Sequence, residues 1–294
     1  MYKAVCFGEV LFDCFPNIKK IGGAPLNVAL RLHSLGFDTD VISCVGQDKD
    51  AQNIKTFLKQ EGLTTNHIQT NAQHPTGTVA VSLDHNGNAS YEIVQPVAWD
   101  FIDLTPNNAA LVEIADLFVF GSLVARQNPS KQTLTSLIQK SPFSVFDINL
   151  RPPHFDWATL KEFIQLSHFI KCNEEELAYL LEHLKHTETT LENQLRALLK
   201  STHCEGICVT LGADGAALLW KGQFYKQAGF PTNVVDTVGA GDSFLATLLH
   251  GLLSNHNPQS SLQKACAMGA LVASKSGANP TISPNELLKF IDDQ

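Results

Sequence analysis

The sequence is poor in basic residues and lacks the patterns of membrane-spanning or secreted chains. There are 21 Lys and Arg against 29 Asp and Glu, which gives a formal net charge of -8. Phosphate backbones are bound by clusters of Lys and Arg, and no such patch occurs, so we expect no nucleic-acid partner. No apolar run reaches spanning length, and the start MYKAVCFGEV has no signal-peptide layout. We therefore expect a cytoplasmic protein without a membrane partner.

Metal-ligand and disulfide patterns are also missing. The seven cysteines are odd in number and include no CxxC, and the 11 histidines form no HxH or HxxxH pair. Zinc sites need closely spaced ligands, and a disulfide framework needs an even set of cysteines. We expect the cysteines to be small buried thiols in a reducing compartment.

Two common nucleotide-binding fingerprints are absent. A P-loop requires Gly-Lys-Ser/Thr, which occurs nowhere in the chain. The dinucleotide fingerprint GxGxxG fails because Phe244 stands where its third glycine or alanine belongs, after Gly239 and Gly241. These absences argue against a P-loop enzyme and against a nicotinamide dehydrogenase.

What is present is an alternation of strand and helix patterns. The first sixty residues give strand, helix, strand, helix, which favours a parallel sheet with right-handed crossovers. Residues 75–94 alternate apolar and polar residues around HNGN, which predicts a hairpin serving as a lid or an interface. AALLWKGQFYKQAG predicts a second, smaller antiparallel pair. Without a long linker or repeat, the chain is expected to form one α/β domain.

The segment DTVGAGDSF, residues 236–244, precedes an apolar helix pattern. Gly239, Ala240 and Gly241 would leave bare amides at the positive end of that helix, where an anion can bind. Asp242 would stand beside this anion hole as a base for an attacking hydroxyl, the arrangement of phosphoryl transfer. The alternative is an acid that only stabilises the helix N-terminus, by about 0.3–1 kcal/mol.

DTVGAGDSF resembles the C-terminal signature of the ribokinase-like (PfkB-type) carbohydrate kinases. IGGAPLNVALRLHSLG resembles the family's first signature, and the resemblance spans the chain. It implies a single α/β domain over residues 1–294, with a mainly parallel central sheet flanked by helices and a small β lid near 10–21 and 75–97. It also implies a kinase that uses ATP and Mg²⁺, and two copies that pair through the lid as a homodimer.

The family's functional residues carry over onto matching positions of this sequence. Asp242 matches the general base, and Gly239, Ala240 and Gly241 match the anion hole for the ATP phosphates. The resemblance assigns sugar contacts to Asp13, Gly22, Gly23 and Asn27. It assigns nucleotide contacts to Thr210, Gly212 and Gly215, around the phosphates and ribose, and to Asn279, beside the base. It also implies a monovalent-cation (K⁺) site formed by Asp236, the Val238 carbonyl and Thr281.

Two further segments have a second interpretation. KCNEEEL matches an element whose Asn173 and Glu176 would order magnesium-bound water, but the same pair predicts a capping box. FDINLRP would place Asp147, Asn149 and Arg151 on one strand face, at the crevice where open α/β sheets bind ligands. The latter string resembles fructokinases, with Arg151 contacting a phosphate or sugar oxygen. Plain surface exposure is the alternative.

These motifs predict an ATP-dependent sugar kinase of the fructokinase type, with fructose as the leading acceptor. A 2-keto-3-deoxygluconate kinase is the nearest alternative, because Arg151 could then bind a carboxylate. A ribokinase is a further alternative, although Ala24-Pro25 stands where ribokinases usually carry Lys-Gly. From another class, a non-catalytic sugar-sensing protein could share the fold.

Overall fold

The computed structural model describes residues 1–16, 18–83 and 89–293. Side chains are described for these residues except 81–83 and 89–91. The strands are β1 Lys3–Phe7, β2 Leu11–Cys14, β3 Lys19–Gly22, β4 Asp38–Val45, β5 Ile68–Thr70, β6 Gly77–Leu83, β7 Ala89–Ile93, β8 Leu117–Gly121, β9 Ser144–Asp147, β10 Phe169–Asn173, β11 Gly206–Thr210, β12 Ala216–Trp220 and β13 Gln223–Gln227. The α-helices are α1 Ala24–Ser34, α2 Lys49–Gln60, α3 Pro106–Glu113, α4 Asn128–Ile138, α5 Trp157–Leu166, α6 Glu174–His183, α7 Leu191–Lys200, α8 Ala240–Leu253, α9 Pro258–Ala273 and α10 Pro284–Asp292.

Nine strands form one large, mainly parallel sheet, in the order β13-β12-β11-β10-β9-β8-β1-β4-β5. Every neighbouring pair from β11 to β5 is parallel, as the alternation of strands and helices predicts. The predicted pair AALLWKGQFYKQAG forms β12 and β13, and these antiparallel strands extend the large sheet at one edge. The carboxyl ends of β9, β10 and β11 therefore meet at one rim.

A second sheet of four strands has the order β3-β2-β6-β7. Strand β2 pairs parallel with β6, while β2–β3 and β6–β7 are antiparallel. The antiparallel pairing predicted for residues 75–94 is thus confirmed, and its HNGN turn lies outside the described residues. Gly8 separates β1 in the large sheet from β2 in the small one, with a φ of 148°. That backbone conformation favours glycine.

Helices cover both faces of the large sheet, because alternate residues of its strands face opposite sides. On one face, Phe120 packs against Phe146 and Phe163, with ring centroids 5.1 and 5.5 Å apart. On the other face, Cys6 of β1 joins a cluster that includes Phe244 of α8. Helix α8 is thereby fixed beside α1 on one side of the sheet.

The prediction that Asp147, Asn149 and Arg151 share one face of a strand is wrong. Strand β9 ends at Asp147, and Asn149 has a φ of 40°, in the left-handed region that breaks strand alternation. The amide of Leu150 then donates to the Glu176 carboxylate at 2.8 Å instead of to a neighbouring strand. Asp147 is consequently buried in the sheet, whereas Arg151 projects from a loop.

Helix α3 begins in a segment whose residues do not by themselves favour a helix. Its start, TPNN, consists of turn formers, but the Thr105 hydroxyl accepts a hydrogen bond from the Asn108 amide and caps the helix. Over the described parts of the chain, no helix combines the length and the apolarity that a membrane crossing needs.

Candidate active site

The first turn of α8 stands at the centre of the candidate site. Its N-cap, Gly239, has a φ of 77°, and a Cβ there would lie 2.3 Å from the Ala278 carbonyl oxygen. Only glycine fits both the conformation and the contact. The helix starts at Ala240, so Asp242 lies in its first turn, where backbone amides point outward.

The amides at this helix start are not all free. The Ala240 N–H donates to the Thr237 carbonyl at 3.2 Å. The N–H groups of Gly239 and Gly241 make no hydrogen bond to any described residue. Two of the three amides predicted to bind an anion are therefore available, and the Ala240 amide is not.

Asp242 is surrounded by protein atoms but keeps part of its surface open to a pocket. Its Oδ2 accepts a hydrogen bond from Asn27 Nδ2 at 2.8 Å. Burial, with a contribution from Asp147, raises the pKa of Asp242 to about 6, although Asn27 and Lys171 act in the opposite direction. The carboxylate is thus ionised at neutral pH and basic enough to accept a proton.

A buried lysine lies next to this helix start. Lys171 Nζ pairs with Asp147 Oδ1 at 3.0 Å, and the two residues are 7% and 4% exposed. Burial acts to lower the pKa of Lys171, but Asp147 and Glu176 outweigh it and raise that pKa above its ordinary value. Nζ would lie 3.5 Å from a Cβ on Gly241. A fixed positive charge therefore reinforces the anion-binding end of α8.

A pocket of about 630 Å³ opens in front of Asp242. The residues predicted to contact a sugar that line it are Asp13, Gly23, Asn27, Arg151 and Asp242, together with Gly239 and Gly241. Gly22 does not line it, and a Cβ there would lie 2.6 Å from the Asp13 carboxylate. The pocket wall thus combines carboxylates, an amide and a guanidinium, the groups that bind a polyol.

A second cleft of about 710 Å³ adjoins this pocket and shares Thr237 and Gly241 with it. The residues predicted to contact a nucleotide that line it are Asn173, Thr210, Gly212 and Gly215, and Phe230, Pro231 and Val234 supply apolar surface. Gly215 has a φ of 101°, and a Cβ there would lie 2.0 Å from the Gln227 carbonyl oxygen. Asn279 is not part of this lining, because its side chain bonds Asn27.

Glu176 forms the capping box that the sequence also predicts. Asn173 Oδ1 accepts from the Glu176 amide at 2.8 Å, and Glu176 Oε2 accepts from the Asn173 amide at 2.9 Å. Its Oε1 accepts from the Leu150 amide at 2.8 Å, and the residue is 5% exposed. Both carboxylate oxygens are engaged by backbone, so Glu176 does not fit a direct metal ligand.

Two of the three residues predicted to bind a monovalent cation, Asp236 and Thr281, have other partners at their oxygens. Asp236 accepts from the amides of Val238 and Gly277, each at 3.1 Å, and Lys20 Nζ lies 3.7 Å from its Oδ2. The Thr281 carbonyl accepts from Lys275 at 3.3 Å. Lysine ammonium groups thus stand beside two of the three predicted ligands.

The chain has relatives among known families and proteins over most of its length. Residues 2–285 match the pattern described as pfkB family carbohydrate kinase. The chain belongs to this family. A candidate sugar kinase of Pyrococcus horikoshii is 33% identical over 283 residues, covering 92% of this chain and 86% of that protein. The fructokinase of Escherichia coli is 29% identical over 267 residues, covering 86% and 85%.

The fold of this pfkB-family kinase has close counterparts among solved structures. The crystal structure of Xylella fastidiosa fructokinase with bound ATP superimposes with a TM-score of 0.87 at 22% identity, covering 99% of this chain and 98% of that one. That likeness confirms the α/β fold predicted from the alternating patterns. The match over nearly the whole chain, together with the fructokinases among its relatives, confirms the family resemblance and its fructokinase-type branch.

Two charged residues of this pfkB-family kinase line the pocket without having been singled out in the sequence. Glu9 is 3% exposed, its Oε2 has no partner among the described residues, and burial raises its pKa to about 7. Lys171 is the other. A signal for Lys171 exists, since it stands two residues before Asn173 at the end of a strand and so shares its face. A lone acid after Gly8 gives no comparable signal for Glu9.

Proposed function

We propose that this chain is an ATP-dependent kinase that transfers the γ-phosphoryl group to a hydroxyl of fructose. The observation that carries the proposal is the position of Asp242, at the junction of a polar pocket and an apolar cleft. A sugar in the first and a nucleotide in the second would meet beside this carboxylate. Membership of a carbohydrate kinase family supports the reaction class.

The nucleotide would lie with its base in the apolar cleft and its phosphates toward α8. The free amides of Gly239 and Gly241, at the positive end of the helix, would bind the phosphate oxygens. The Lys171 ammonium adds a fixed charge beside the transferring group, where electrostatic stabilisation of a phosphoryl transition state is most effective. This arrangement replaces the P-loop lysine that the sequence lacks.

The proton of the sugar hydroxyl moves to Asp242, and the phosphoryl group moves from ATP to the sugar oxygen. Its free carboxylate oxygen accepts the proton of the sugar hydroxyl, and the resulting oxygen forms a bond to the γ-phosphorus. The bond from that phosphorus to the β,γ-bridging oxygen breaks, and ADP leaves with its electron pair. With a pKa of about 6, Asp242 is ionised above that pH, so activity is lost as the pH falls through it.

Magnesium would enter this reaction with the nucleotide. Among the described residues, no three His, Cys, Asp or Glu side chains converge to hold a metal, and the oxygens of Glu176 are engaged. Mg²⁺ commonly binds substrate phosphates with few protein ligands, and when bound it neutralises their charge. Asn173, which lines the cleft, is the chain's own candidate for a water-mediated contact.

Fructose is the acceptor that the pocket supports best. Asp13, Asn27 and Glu9 offer acceptors and a donor to several hydroxyls, and relatives named fructokinases share 26–29% identity with this chain. Arg151 favours a second candidate acceptor, a sugar acid. Among the described residues its guanidinium bonds only the Leu150 carbonyl, through Nη1, which leaves its other N–H groups free to bind a ligand. Its other donors could bind a carboxylate in a planar fork.

ATP-coupled turnover on a panel of sugars tests the proposal. The panel contains fructose, ribose, 2-keto-3-deoxygluconate, adenosine and phosphorylated fructoses. The highest kcat/KM is expected for fructose. A higher value for the sugar acid, lost in Arg151→Gln, would replace fructose as the acceptor. No turnover on any sugar, with binding retained, would instead support a sugar-sensing protein.

We further propose that the small sheet acts as a lid and pairs with a second copy. Its outer strands, β3 and β7, are edges of the four-stranded sheet, and unpaired edges can add strands from another chain. Light scattering of the purified protein should give twice the mass of one chain. A monomer at micromolar concentration would refute this pairing.

A further inference from the structure

Three side chains from distant parts of the sequence form a hydrogen-bond chain that ends on Asp242. Asn279 Nδ2 donates to Asn27 Oδ1 at 2.9 Å, and Asn27 Nδ2 donates to Asp242 Oδ2 at 2.8 Å. Asn27 is 5% exposed. Asn279 lies in the loop after α9, and its side-chain nitrogen bonds Asn27, which lines the polar pocket.

We propose that Asn279 is a positioning residue for the base, because it fixes the side-chain amide of Asn27 with its NH₂ toward Asp242. An amide has a donor end and an acceptor end. The ionised Asp242 can only accept, and Asn279 donates to the oxygen end of Asn27, so both neighbours place the nitrogen end toward the carboxylate. The opposite orientation would place two oxygens against each other. The proposal rests on the proposed function in one respect, the role of Asp242 as base.

The loop that carries Asn279 is held independently of any ligand. The carbonyl of Pro280 accepts a hydrogen bond from Arg31 Nη2 at 2.9 Å, and Arg31 Nε donates to Ser243 Oγ at 3.1 Å. Arg31 is 3% exposed. One buried guanidinium thus ties the loop to α1 and to α8. The position of Asn279 is therefore set before a substrate binds.

The same hydrogen bonds determine which carboxylate oxygen of Asp242 is free to act as the base. Asp242 Oδ2 is occupied by Asn27, which leaves Oδ1 to face the acceptor hydroxyl. A donated hydrogen bond also favours the ionised carboxylate. The other charged and titratable groups that act on Asp242 are Cys6, Glu9, Asp147, Arg151 and Lys171. Asn279→Ala changes none of them, so its effect on Asp242 reports the Asn27 amide, whereas Asn279→Asp adds the repulsion of its own charge.

The test compares Asn279→Ala with Asn279→Asp and with the control Ser276→Ala, at an exposed position of the same loop. The carboxylate introduced by Asn279→Asp would accept from the Asn27 amide and reverse its orientation. We expect the acid limb of the kcat profile to move up by about one pKa unit in Asn279→Ala and further in Asn279→Asp. For a one-unit shift, kcat falls about fivefold at pH 6 and stays near wild type at pH 8. The KM for ATP and the control stay unchanged.

A double-mutant cycle distinguishes a connected series of hydrogen bonds through Asn27 from two contacts that act independently. In an Asn27→Ala background, Asn279→Ala should have no further effect, because its action passes through Asn27. Additive losses would overturn the proposal. A raised KM for ATP with an unmoved acid limb would also overturn it, since Asn279 would then contact the nucleotide base. Asn279→Ser, whose hydroxyl can still donate, should lie between wild type and Asn279→Ala, and it replaces Asn279→Ala if that variant does not fold.

A readout without turnover keeps the two proposals apart. Carboxyl ¹³C NMR titration of the resting protein follows Asp242 directly, with Asp242→Asn used to assign its signal. The same upward shift is expected in Asn279→Ala. An unmoved Asp242 pKa refutes the positioning role even if the enzyme is active. Absence of sugar phosphorylation in the wild type refutes the proposed function alone.

Discussion

Asp242→Asn should separate catalysis from folding at the centre of the site. The amide keeps the shape of the side chain and can still bond Asn27, but it cannot accept a proton. Loss of a general base costs about 10²–10⁴ in rate, which corresponds to about 3–5 kcal/mol of barrier. Stopped assays of sugar phosphate at saturating ATP and sugar measure kcat, and isothermal titration measures binding of each ligand, which should change little.

The stability of Asp242→Asn should be equal to or higher than that of the wild type, although its kcat falls. The pKa of Asp242 is raised from 3.8 to about 6, so the folded state disfavours the ionised carboxyl. Wild-type stability therefore increases as the pH falls through about 6, because protonation of Asp242 removes the cost of burying its charge. At neutral pH the burial of this charge costs up to about 3 kcal/mol, which a neutral amide avoids. We expect Asp242→Asn to melt at or above the wild-type temperature.

The matched control is Glu192→Gln, which also replaces an acid in the first turn of a helix, α7, but whose side chain is 43% exposed. It should retain wild-type kcat and lose little stability. A folded Asp242→Asn that keeps more than about a tenth of wild-type kcat would refute the general-base role. A large fall in its melting temperature with near-normal kcat would assign Asp242 to helix capping instead.

Four further outcomes are expected for the residues and the predicted cation ligands around Asp242. Gly241→Val should raise the KM for ATP and lower kcat without unfolding the protein, because its methyls would enter the space between Lys171 Nζ and the helix amides; unchanged kinetics would remove this anion site. Lys171→Met should lower kcat by about 10²-fold or more, as expected for the loss of a charge that stabilises the transition state. The pair Asp147→Asn/Lys171→Met should recover stability but not rate, whereas recovered rate would contradict a direct role. Replacing sodium by potassium at equal ionic strength should leave kcat unchanged, since Lys20 and Lys275 stand at the predicted cation ligands; strong activation by potassium would contradict this.

The part of the site that could be predicted is the part encoded in a continuous segment. DTVGAGDSF predicts an anion-binding helix start with an acid in its first turn, and α8 begins at Ala240, as that reading requires. Glycines and a helix start act through local backbone geometry, which a short segment determines by itself. The alternation of strand and helix patterns predicts the parallel sheet for the same reason.

The part that could not be predicted depends on register between segments. Lys171 meets Asp147 because β10 and β9 pair residue for residue at that point, and nothing within either strand specifies that pairing. The left-handed conformation of Asn149 moves Arg151 off the sheet, and strand periodicity assumes that no such break occurs. Asn279 turns toward Asn27 because Arg31 fixes its loop across more than two hundred residues of sequence. Tertiary contacts, rather than local patterns, decide all three placements.

The hydrogen-bond chain of Asn279, Asn27 and Asp242 joins positions separated by 252 and 215 residues. The nine strands of the large sheet are complete by Gln227, before either Asp242 or Asn279 has been synthesised. The helices that complete the core on one face of this sheet, α8 and α9, follow in the sequence together with the base. Chains interrupted just before Asn279 would retain most of the core and lack a correctly oriented base. With Asn279 in the role proposed above, the site of this pfkB-family kinase is thus completed late in synthesis, with the loop that follows α9.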